Sequence, residues 1–406
     1  MTNFKIPRLS LLLVFIVVFA STCTTSTAQP LSDPDVTPVN VAVPEVTSGG
    51  STQLTPGTSI EATAEITPTA YLPLIQKPDV KFLGIYFKQY WTSKNVTPYM
   101  SQADQGAGKK HTSVGWFIDL EDAAFTEPVT YLPGNNLYNQ LEELWKAGYI
   151  SFINLGTNAT AAEILNGDRN SEIGYAAQFY KAWVDQGGGR RAMIAPMQEM
   201  NGVWTSYGQF STSEDFKQAY RYILNIFANQ GITRDQVWWV FAPNGYNDPG
   251  DDSRKFENYY PGDDVVDIVG FSSYNYGYCP DTAPFWRWES YPEIFEPYIA
   301  RMQVMAPSKP IIIAETASTA YAGVDAEGNP VIDYNQMNQW LIDNYNYFAH
   351  RAGVIGVFYF SFPVFNDHSC AIEINPNGVM LSGYGVGVSN TVYQYLNAGQ
   401  LDSLIR

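Results

Sequence analysis

The sequence predicts an α/β fold, a (β/α)8 or TIM barrel over residues 79–406, from three observations. Eight short apolar runs, rich in β-branched and aromatic residues, follow one another along this part of the chain. Segments with the apolar spacing of amphipathic helices separate most of the runs. No repeat of fixed period is visible, which disfavours a solenoid. Apolar strands alternating with helices over such a length are typical of the barrel.

The predicted strands and helices alternate in a regular order. The strands are 81–87, 113–118, 149–155, 191–197, 237–243, 265–271, 310–315 and 353–360. The helices are 137–148, 171–186, 211–231, 292–305, 333–351 and 389–398, and the connections after the first and fifth strands are less clearly helical. In the third helix, Ser211 and Glu214 stand at capping-box spacing, and Gly231 supplies the stop signal.

Residues 1–23 predict an export signal. Lys5 and Arg8 precede ten apolar residues from Leu11 to Ala20, a run too short to span a bilayer. Cys23 follows at the position of a lipid-bearing cysteine, although the residues before it fit a lipoprotein signal only loosely. The sequence therefore predicts export and leaves open whether the protein is secreted or attached to a membrane through a lipid on Cys23.

Residues 24–78 predict a disordered tether. This segment is rich in Thr, Ser, Pro, Val and Ala, with Tyr71 as its one aromatic residue and Lys77 as its one basic residue. Such a composition buries too little apolar surface to offset the entropy lost on ordering. A small folded module is the weaker alternative. We expect the tether to hold the barrel away from a surface.

Composition narrows the partners of the chain. The 406 residues carry a net charge of −17, which opposes binding to nucleic acid. With 28 Tyr and 10 Trp, the chain is rich in side chains that offer flat apolar faces to sugar rings. Three His and no cluster with ligand spacing argue against a catalytic metal, and no cofactor is expected. We expect a monomer.

The two remaining cysteines, Cys279 and Cys370, both follow predicted strands. In an exported protein two leftover cysteines can pair, so the sequence leaves a disulfide and two free thiols as alternatives.

Two glutamates mark the catalytic chemistry. Glu199 follows the fourth apolar run and Glu315 ends the seventh, so a barrel places both at its active face and across its mouth. Glycosidic bond cleavage needs one protonated acid for the leaving oxygen and one ionised carboxylate for the anomeric carbon. Paired acids in this arrangement therefore indicate an enzyme that cuts a glycosidic bond.

The segments around these glutamates resemble glycoside hydrolase family 26, in clan A, which contains β-mannanases. The resemblance rests on PMQEMNGVW (196–204), VWWVFAPN (237–244), YYPGDDVVDIVGFSSYNYG (259–277) and AETAS (314–318), and similarity covers most of residues 80–390. Glu199 would then be the general acid/base and Glu315 the nucleophile of a retaining enzyme. Tyr274 matches a position whose hydroxyl can donate to the nucleophile.

Further side chains are candidate contacts to sugar. Trp204 and Tyr207 lie just past the acid/base and could stack on sugar rings. Gln198 and Asn201 flank the acid/base in its motif. Trp116 and Phe360, at the ends of strands two and eight, could form the floor of the cleft. Acidic residues elsewhere are read as solvated loops, with a loop Ca²⁺ site as the alternative: Asp119, Glu121, Asp122, Asp251, Asp252, Asp263, Asp264 and Asp267.

Two positions depart from the family pattern. Members usually carry Arg-Pro and then His-Glu around the acid/base, whereas this chain has Ala195-Pro196 and Gln198-Glu199. Gln198 can hydrogen-bond a hydroxyl but carries no charge. The substrate prediction is a β-linked polysaccharide, β-mannan first, with β-1,3-xylan, mixed-linkage glucan or an exopolysaccharide as alternatives. A non-catalytic surface glycan-binding protein on a degenerate barrel is the alternative outside the enzymes.

Overall fold

The computed structural model of the chain describes residues 80–87, 97–121, 136–245, 252–283, 286–362, 370–375 and 379–406. The predicted signal (1–23), with Cys23, and the predicted tether (24–78) lie outside these residues. Among the helices of the described ranges, none combines the length and the apolar character needed to cross a membrane.

Eight parallel strands close into a barrel, which confirms the predicted (β/α)8 architecture. Each strand pairs with its neighbours in chain order, and the first pairs with the last to close the ring. The barrel strands are β1 Phe82–Phe87, β2 Ser113–Asp119, β3 Ile150–Gly156, β4 Ala192–Pro196, β5 Val237–Phe241, β6 Ile268–Ser272, β7 Ile311–Thr316 and β10 Val354–Ser361. A hairpin of β8 Tyr321–Val324 and β9 Pro330–Ile332, which the sequence did not reveal, follows β7.

Helices surround the barrel. They are α1 Thr97–Ala107, α2 Asn136–Lys146, α3 Ala161–Leu165, α4 Asn170–Val184, α5 Ser206–Gln209, α6 Ser213–Asn229, α7 Tyr291–Met305, α8 Tyr334–His350, α9 Ser382–Gly387 and α10 Ala398–Ile405. Short 3₁₀ turns occupy Arg234–Gln236, Asp252–Arg254, Phe256–Tyr259 and Pro280–Thr282. The first connection is thus helical, whereas the described part of the fifth carries only 3₁₀ turns.

The start of α6 differs from the prediction by one residue. Thr212, rather than Ser211, is the N-cap, and its hydroxyl accepts a hydrogen bond from the amide of Asp215 at 3.1 Å. The Ser211 hydroxyl accepts instead from the amide of Ala161 and joins this loop to α3. Gly231 ends the helix as predicted, with a φ of 83° that favours glycine.

The predicted helix at 389–398 is wrong. Its centre is held extended beside the first strand, where Tyr393 forms a parallel bridge with Lys81. The amide of Lys81 donates to Val392 O at 2.8 Å, and the amide of Gln394 donates to Lys81 O at 2.9 Å. Tertiary hydrogen bonds therefore override the local apolar spacing, and the helix begins only at Ala398.

Aromatic rings fill the inside of the barrel because glycines on its inner face make room for them. A Cβ on Gly115 of β2 would lie 2.2 Å from Cζ of Tyr86 on β1. A Cβ on Gly84 would lie 2.1 Å from the ring of Phe358 on β10. Pairing large rings with glycines in this way closes the barrel below its mouth.

A disulfide joins Cys279 to Cys370, with 4.8 Å between their Cα atoms, so the alternative of two free thiols is wrong. Cys279 lies after β6 and Cys370 after β10, and β7 stands between these strands in the barrel. The bridge therefore ties together two loops at the barrel mouth across an intervening strand.

Candidate active site

The chain leaves β4 through a strained turn that presents Glu199. Met197 and Glu199 both have a φ of 52°, in the left-handed region that residues with a side chain rarely adopt. The amide of Met197 donates to Leu155 O, and that of Glu199 donates to Ala242 O at 2.8 Å. Hydrogen bonds to the ends of the two flanking strands thus hold the turn. Such strain persists where the surroundings dictate it and is common at active sites.

Three donors, two from loops and one from the end of β6, surround the Glu199 carboxylate. Its Oε1 accepts from Nδ2 of Asn244 at 2.9 Å and from the hydroxyl of Ser272. Its Oε2 accepts from the indole nitrogen of Trp204 at 2.8 Å. The carboxylate is therefore fixed in place by two groups that follow β4 and β5 and by a third at the end of β6.

The Glu315 carboxylate is buried at the end of β7, with 5% of the residue exposed. Its Oε2 accepts from the hydroxyl of Tyr274 at 2.5 Å, and its Oε1 accepts from Nδ2 of Asn154 at 3.3 Å. Asn154 also donates to the Tyr86 hydroxyl at 2.9 Å, which sets the orientation of its amide. The Tyr274 hydroxyl therefore donates a hydrogen bond to the predicted nucleophile, as the sequence predicted.

Ser272 connects the Glu199 carboxylate to the strand that carries Glu315. Its hydroxyl donates to Glu199, while its Cα is the ladder partner of Glu315 between β6 and β7. Burial raises the pKa of Glu315 well above its usual value, the negative charge of Glu199 raises it further, and the hydrogen bond from Tyr274 opposes the rise.

The other residues predicted around the acid/base take different roles. Trp204 is 37% exposed, so part of its ring is open to a ligand. Tyr207 is buried, and its hydroxyl donates to Gln198 O at 2.9 Å, so it packs beneath the loop instead of offering a ring face. Asn201 is also buried; its amide donates to Asn244 O and accepts from Asn244 N, each at 2.9 Å. It braces the site.

The floor of the barrel mouth is aromatic, but strand two contributes a different residue from the one predicted. Phe117 lies 5.4 Å from Tyr86 and 6.1 Å from Phe360 between ring centroids. Because successive side chains of a strand point to opposite faces, Trp116 lies on the other face and is 1% exposed. Phe360 is on the inner face as expected, 6.0 Å from the ring of Tyr274.

Arg254 stabilises the loop that carries Trp204 through hydrogen bonds to its backbone. Its Nη1 donates to the carbonyls of Asn201, Gly202 and Gly208 at 3.3, 3.1 and 3.1 Å. Arg254 lies after β5, so a second loop holds the first. A guanidinium can serve several acceptors at once because it presents five N–H donors in a rigid plane.

Several of the described loop acids form ion pairs within the protein, whereas Asp122 and Asp251 lie outside the described residues. Glu121 pairs with Arg169, Asp264 with Arg221 and Asp267 with Arg234. Among the residues that the structure describes, the grouping of Cys279, Asp281 and Cys370 has metal-ligand distances, but its sulfurs are joined in the disulfide and offer no thiolate.

Asn154, Asn244 and Ser272 are the site residues that sequence reasoning missed. Each is a polar residue at the carboxyl end of an apolar run, in SFINL, VWWVFAPN and VVDIVGFS. That position in a barrel faces the active site, so the signal was available.

The two carboxylates thus stand at the carboxyl ends of β4 and β7 of the barrel. Residues 132–312 match the sequence model of glycosyl hydrolase family 26. The predicted resemblance to this family is confirmed.

Two curated relatives are similar to parts of the chain. Endoglucanase H of Acetivibrio thermocellus is 31% identical over 191 residues, 45% of this chain and 18% of the relative. A mannan endo-1,4-β-mannosidase of Bifidobacterium adolescentis is 27% identical over 224 residues, 49% of this chain and 22% of the relative. The matched part of the chain thus spans about a fifth of the length of these relatives.

Solved structures share the fold. The catalytic domain of the family 26 endo-β-1,4-mannanase of Bacillus sp. JAMB-750 has a TM-score of 0.53 at 15% identity, covering 79% of this chain and 88% of that one. A β-mannanase from a symbiotic protist of the termite Reticulitermes speratus has a TM-score of 0.51 at 13% identity, covering 80% and 90%. At these identities the likeness shows the fold alone.

Proposed function

We propose that the chain is a retaining glycoside hydrolase that cleaves a β-linked polysaccharide. The observation that carries the proposal is the pair Glu199 and Glu315 at the barrel mouth, where the hydroxyl of Ser272, the backbone ladder partner of Glu315, donates to Glu199. The match to the family 26 sequence model and the mannosidase and endoglucanase relatives support it.

The mechanism follows from the donors around each acid. Glu199 delivers a proton to the leaving oxygen while Glu315 attacks the anomeric carbon and forms a glycosyl-enzyme. Tyr274 and Asn154 favour the ionised form of Glu315 through their hydrogen bonds. Glu199 then takes a proton from water, which hydrolyses the intermediate with net retention.

The test is reducing-sugar release by the full chain from β-mannans, mixed-linkage glucan, β-1,4-glucan, β-1,3-xylan and exopolysaccharides. Glu199→Gln and Glu315→Gln should each lose nearly all release while folding and glycan binding persist. An aryl glycoside with an activated leaving group separates the roles. Glu199→Gln should still release the aryl group because no proton is needed, whereas Glu315→Gln should not.

The stereochemistry and the class of function are tested on the same protein. The first product seen by proton NMR should keep the β configuration, and an α product would overturn the retaining mechanism. Glycan binding without release from any polymer would favour the non-catalytic binding protein, for which Ala195 and Gln198 are the motivation.

β-Mannan is our first substrate because mannosidases are among the relatives. Endoglucanase H among the relatives makes mixed-linkage or β-1,4-glucan the second. Release from one polymer of the panel and not from the others decides between them.

We also propose that the chain is exported and tethered through residues 24–78. The charged and apolar pattern of residues 1–23 supports export, and the disulfide between Cys279 and Cys370 suits an oxidising compartment. Fractionation of cells that express the full chain tests this. If Cys23 carries a lipid, Cys23→Ser should release the protein from the membrane fraction; recovery of the wild type in the cytosol would contradict export.

A further inference from the structure

A groove on the outside of the barrel has the chemistry of a carbohydrate site. Helices α4 and α6 pack side by side there, with the rings of Tyr180 and Phe227 in contact beneath. The groove above them encloses about 480 Å³, within the range of small-ligand sites. Its lining includes two tyrosines and four carboxamide residues: Tyr175, Tyr222, Asn170, Gln178, Asn229 and Gln230.

The groove is neutral on a strongly acidic protein. Of the described residues that line it, none is charged, although the chain carries a net charge of −17. A second groove, of about 340 Å³ beside α7 and α8, also has two tyrosines, Tyr291 and Tyr347, but is lined by Asp343, His350 and Arg351 as well. The first groove therefore suits an uncharged ligand, and the second provides a matched comparison.

The polar groups of the first groove are available for a ligand. Tyr222 donates its hydroxyl hydrogen to Oδ1 of Asn170 at 2.9 Å, which leaves the Asn170 Nδ2 group as a donor. In the part of the chain that the structure describes, no side-chain hydrogen bond engages Gln178 or Asn229. Tyrosine rings with carboxamide donors and acceptors match the apolar faces and hydroxyl groups of a pyranose.

Gly174 lines the groove without a side chain. It lies inside α4, where glycine costs about 1 kcal/mol relative to alanine. A Cβ there would meet nothing within 4 Å, so packing does not require glycine. Because Gly174 lines the groove, the absence of a side chain at this position leaves space above the helix.

We propose that the groove between α4 and α6 is a second glycan-binding site, which holds a neutral β-linked polysaccharide on the outside of the barrel. The inference rests on the proposed function for the class of ligand. Because the groove lies on the outer helices, a polymer bound there is held on the protein without occupying the catalytic residues. Its expected effect is on retention of long polymers, with no effect on the cleavage of short oligosaccharides.

The experiment is native gel electrophoresis of the full chain in gels with and without soluble galactomannan or mixed-linkage β-glucan. All variants carry Glu315→Gln so that the polymer stays intact. Tyr175→Ala with Tyr222→Ala removes both rings, and Gly174→Phe fills the groove. Each should weaken retardation by about tenfold in apparent Kd. Gly174→Ala and Tyr291→Ala are the matched controls and should leave retardation unchanged.

Unchanged retardation in both groove variants, or no retardation of the parent protein by either polymer, would overturn the second site. Reducing-sugar assays on the same substitutions with Glu315 restored separate this outcome from failure of the proposed function. Groove-dependent retardation without release from any polymer would remove the hydrolase proposal and leave the second site in place. Normal release of reducing sugar, together with retardation that does not depend on the groove, would support the hydrolase proposal and remove the second site.

Discussion

The indole nitrogen of Trp204 lies 2.8 Å from Oε2 of Glu199, so the ring predicted to stack on sugar also holds the predicted acid/base. The remaining exposed part of the ring is open to a ligand. One side chain can therefore couple substrate contact to the orientation of the acid.

Trp204→Phe separates these two roles, because it keeps an aromatic face and removes the N–H donor. Loss of a hydrogen bond to a charged group is worth about 1.5–3 kcal/mol, so kcat should fall about 10- to 100-fold with little change in KM. Steady-state kinetics and a pH–rate profile measure the effect. Trp204→Ala is the comparison and should raise KM as well; equal kinetics for the Phe variant and the wild type would show that the N–H is dispensable.

Tyr274→Phe should slow formation of the glycosyl-enzyme. The lost hydroxyl donates to Glu315 at 2.5 Å and opposes the rise in the pKa of that carboxyl. We expect kcat to fall about 10- to 100-fold and the acidic limb of the profile to move to higher pH. Tyr276→Phe, a neighbouring tyrosine whose hydroxyl is not on Glu315, is the control. An unmoved acidic limb would argue against the role given to Tyr274.

Glu315→Gln should stabilise the fold at neutral and alkaline pH. The folded pKa of Glu315 lies above its unfolded value, so the stability from its protonated form is present below the unfolded pKa and is lost as the pH rises through the folded pKa. The amide avoids that loss. Thermal melts from pH 4 to 9 should show a Tm advantage for the variant that grows with pH and vanishes near pH 4. A constant difference would indicate an effect of shape instead of charge.

Arg254→Met should loosen the loop that carries Trp204. Three carbonyls of this loop share one guanidinium nitrogen, and each bond is worth about 1 kcal/mol. We expect the free energy of unfolding to fall by about 1–3 kcal/mol and kcat/KM to fall about tenfold. Arg254→Lys, with a single ammonium group, should recover part of both losses. Loss of stability with full activity would restrict Arg254 to a structural role.

Cys279→Ser together with Cys370→Ser should lower the free energy of unfolding by about 2–5 kcal/mol, because the bridge closes a sequence separation of 91 residues. Denaturant melts of the double variant measure this. Reduction of the wild type by dithiothreitol should reproduce the loss. Activity at low temperature should remain, since neither cysteine contacts Glu199 or Glu315.

Sequence alone determined the barrel, its strand order and the positions of Glu199 and Glu315. These follow from apolar periodicity and from the rule that the carboxyl ends of barrel strands form the active face, both local in the chain. The errors of the sequence prediction arise because it uses only local patterns. The helix expected at 389–398 fails because hydrogen bonds to Lys81, more than 300 residues away, hold that segment extended.

Tertiary structure alone decided which side chains meet. The parity of β2 points Phe117, and not Trp116, into the mouth, and only the closed ring brings Ser272 to both Glu199 and Glu315. The tertiary structure also places Tyr207 and Asn201, which were expected to contact sugar, beneath the loop, where their hydrogen bonds brace it. The physical reason is that hydrogen bonds and burial at the mouth depend on loops far apart in sequence, and periodicity within one segment carries no information about them.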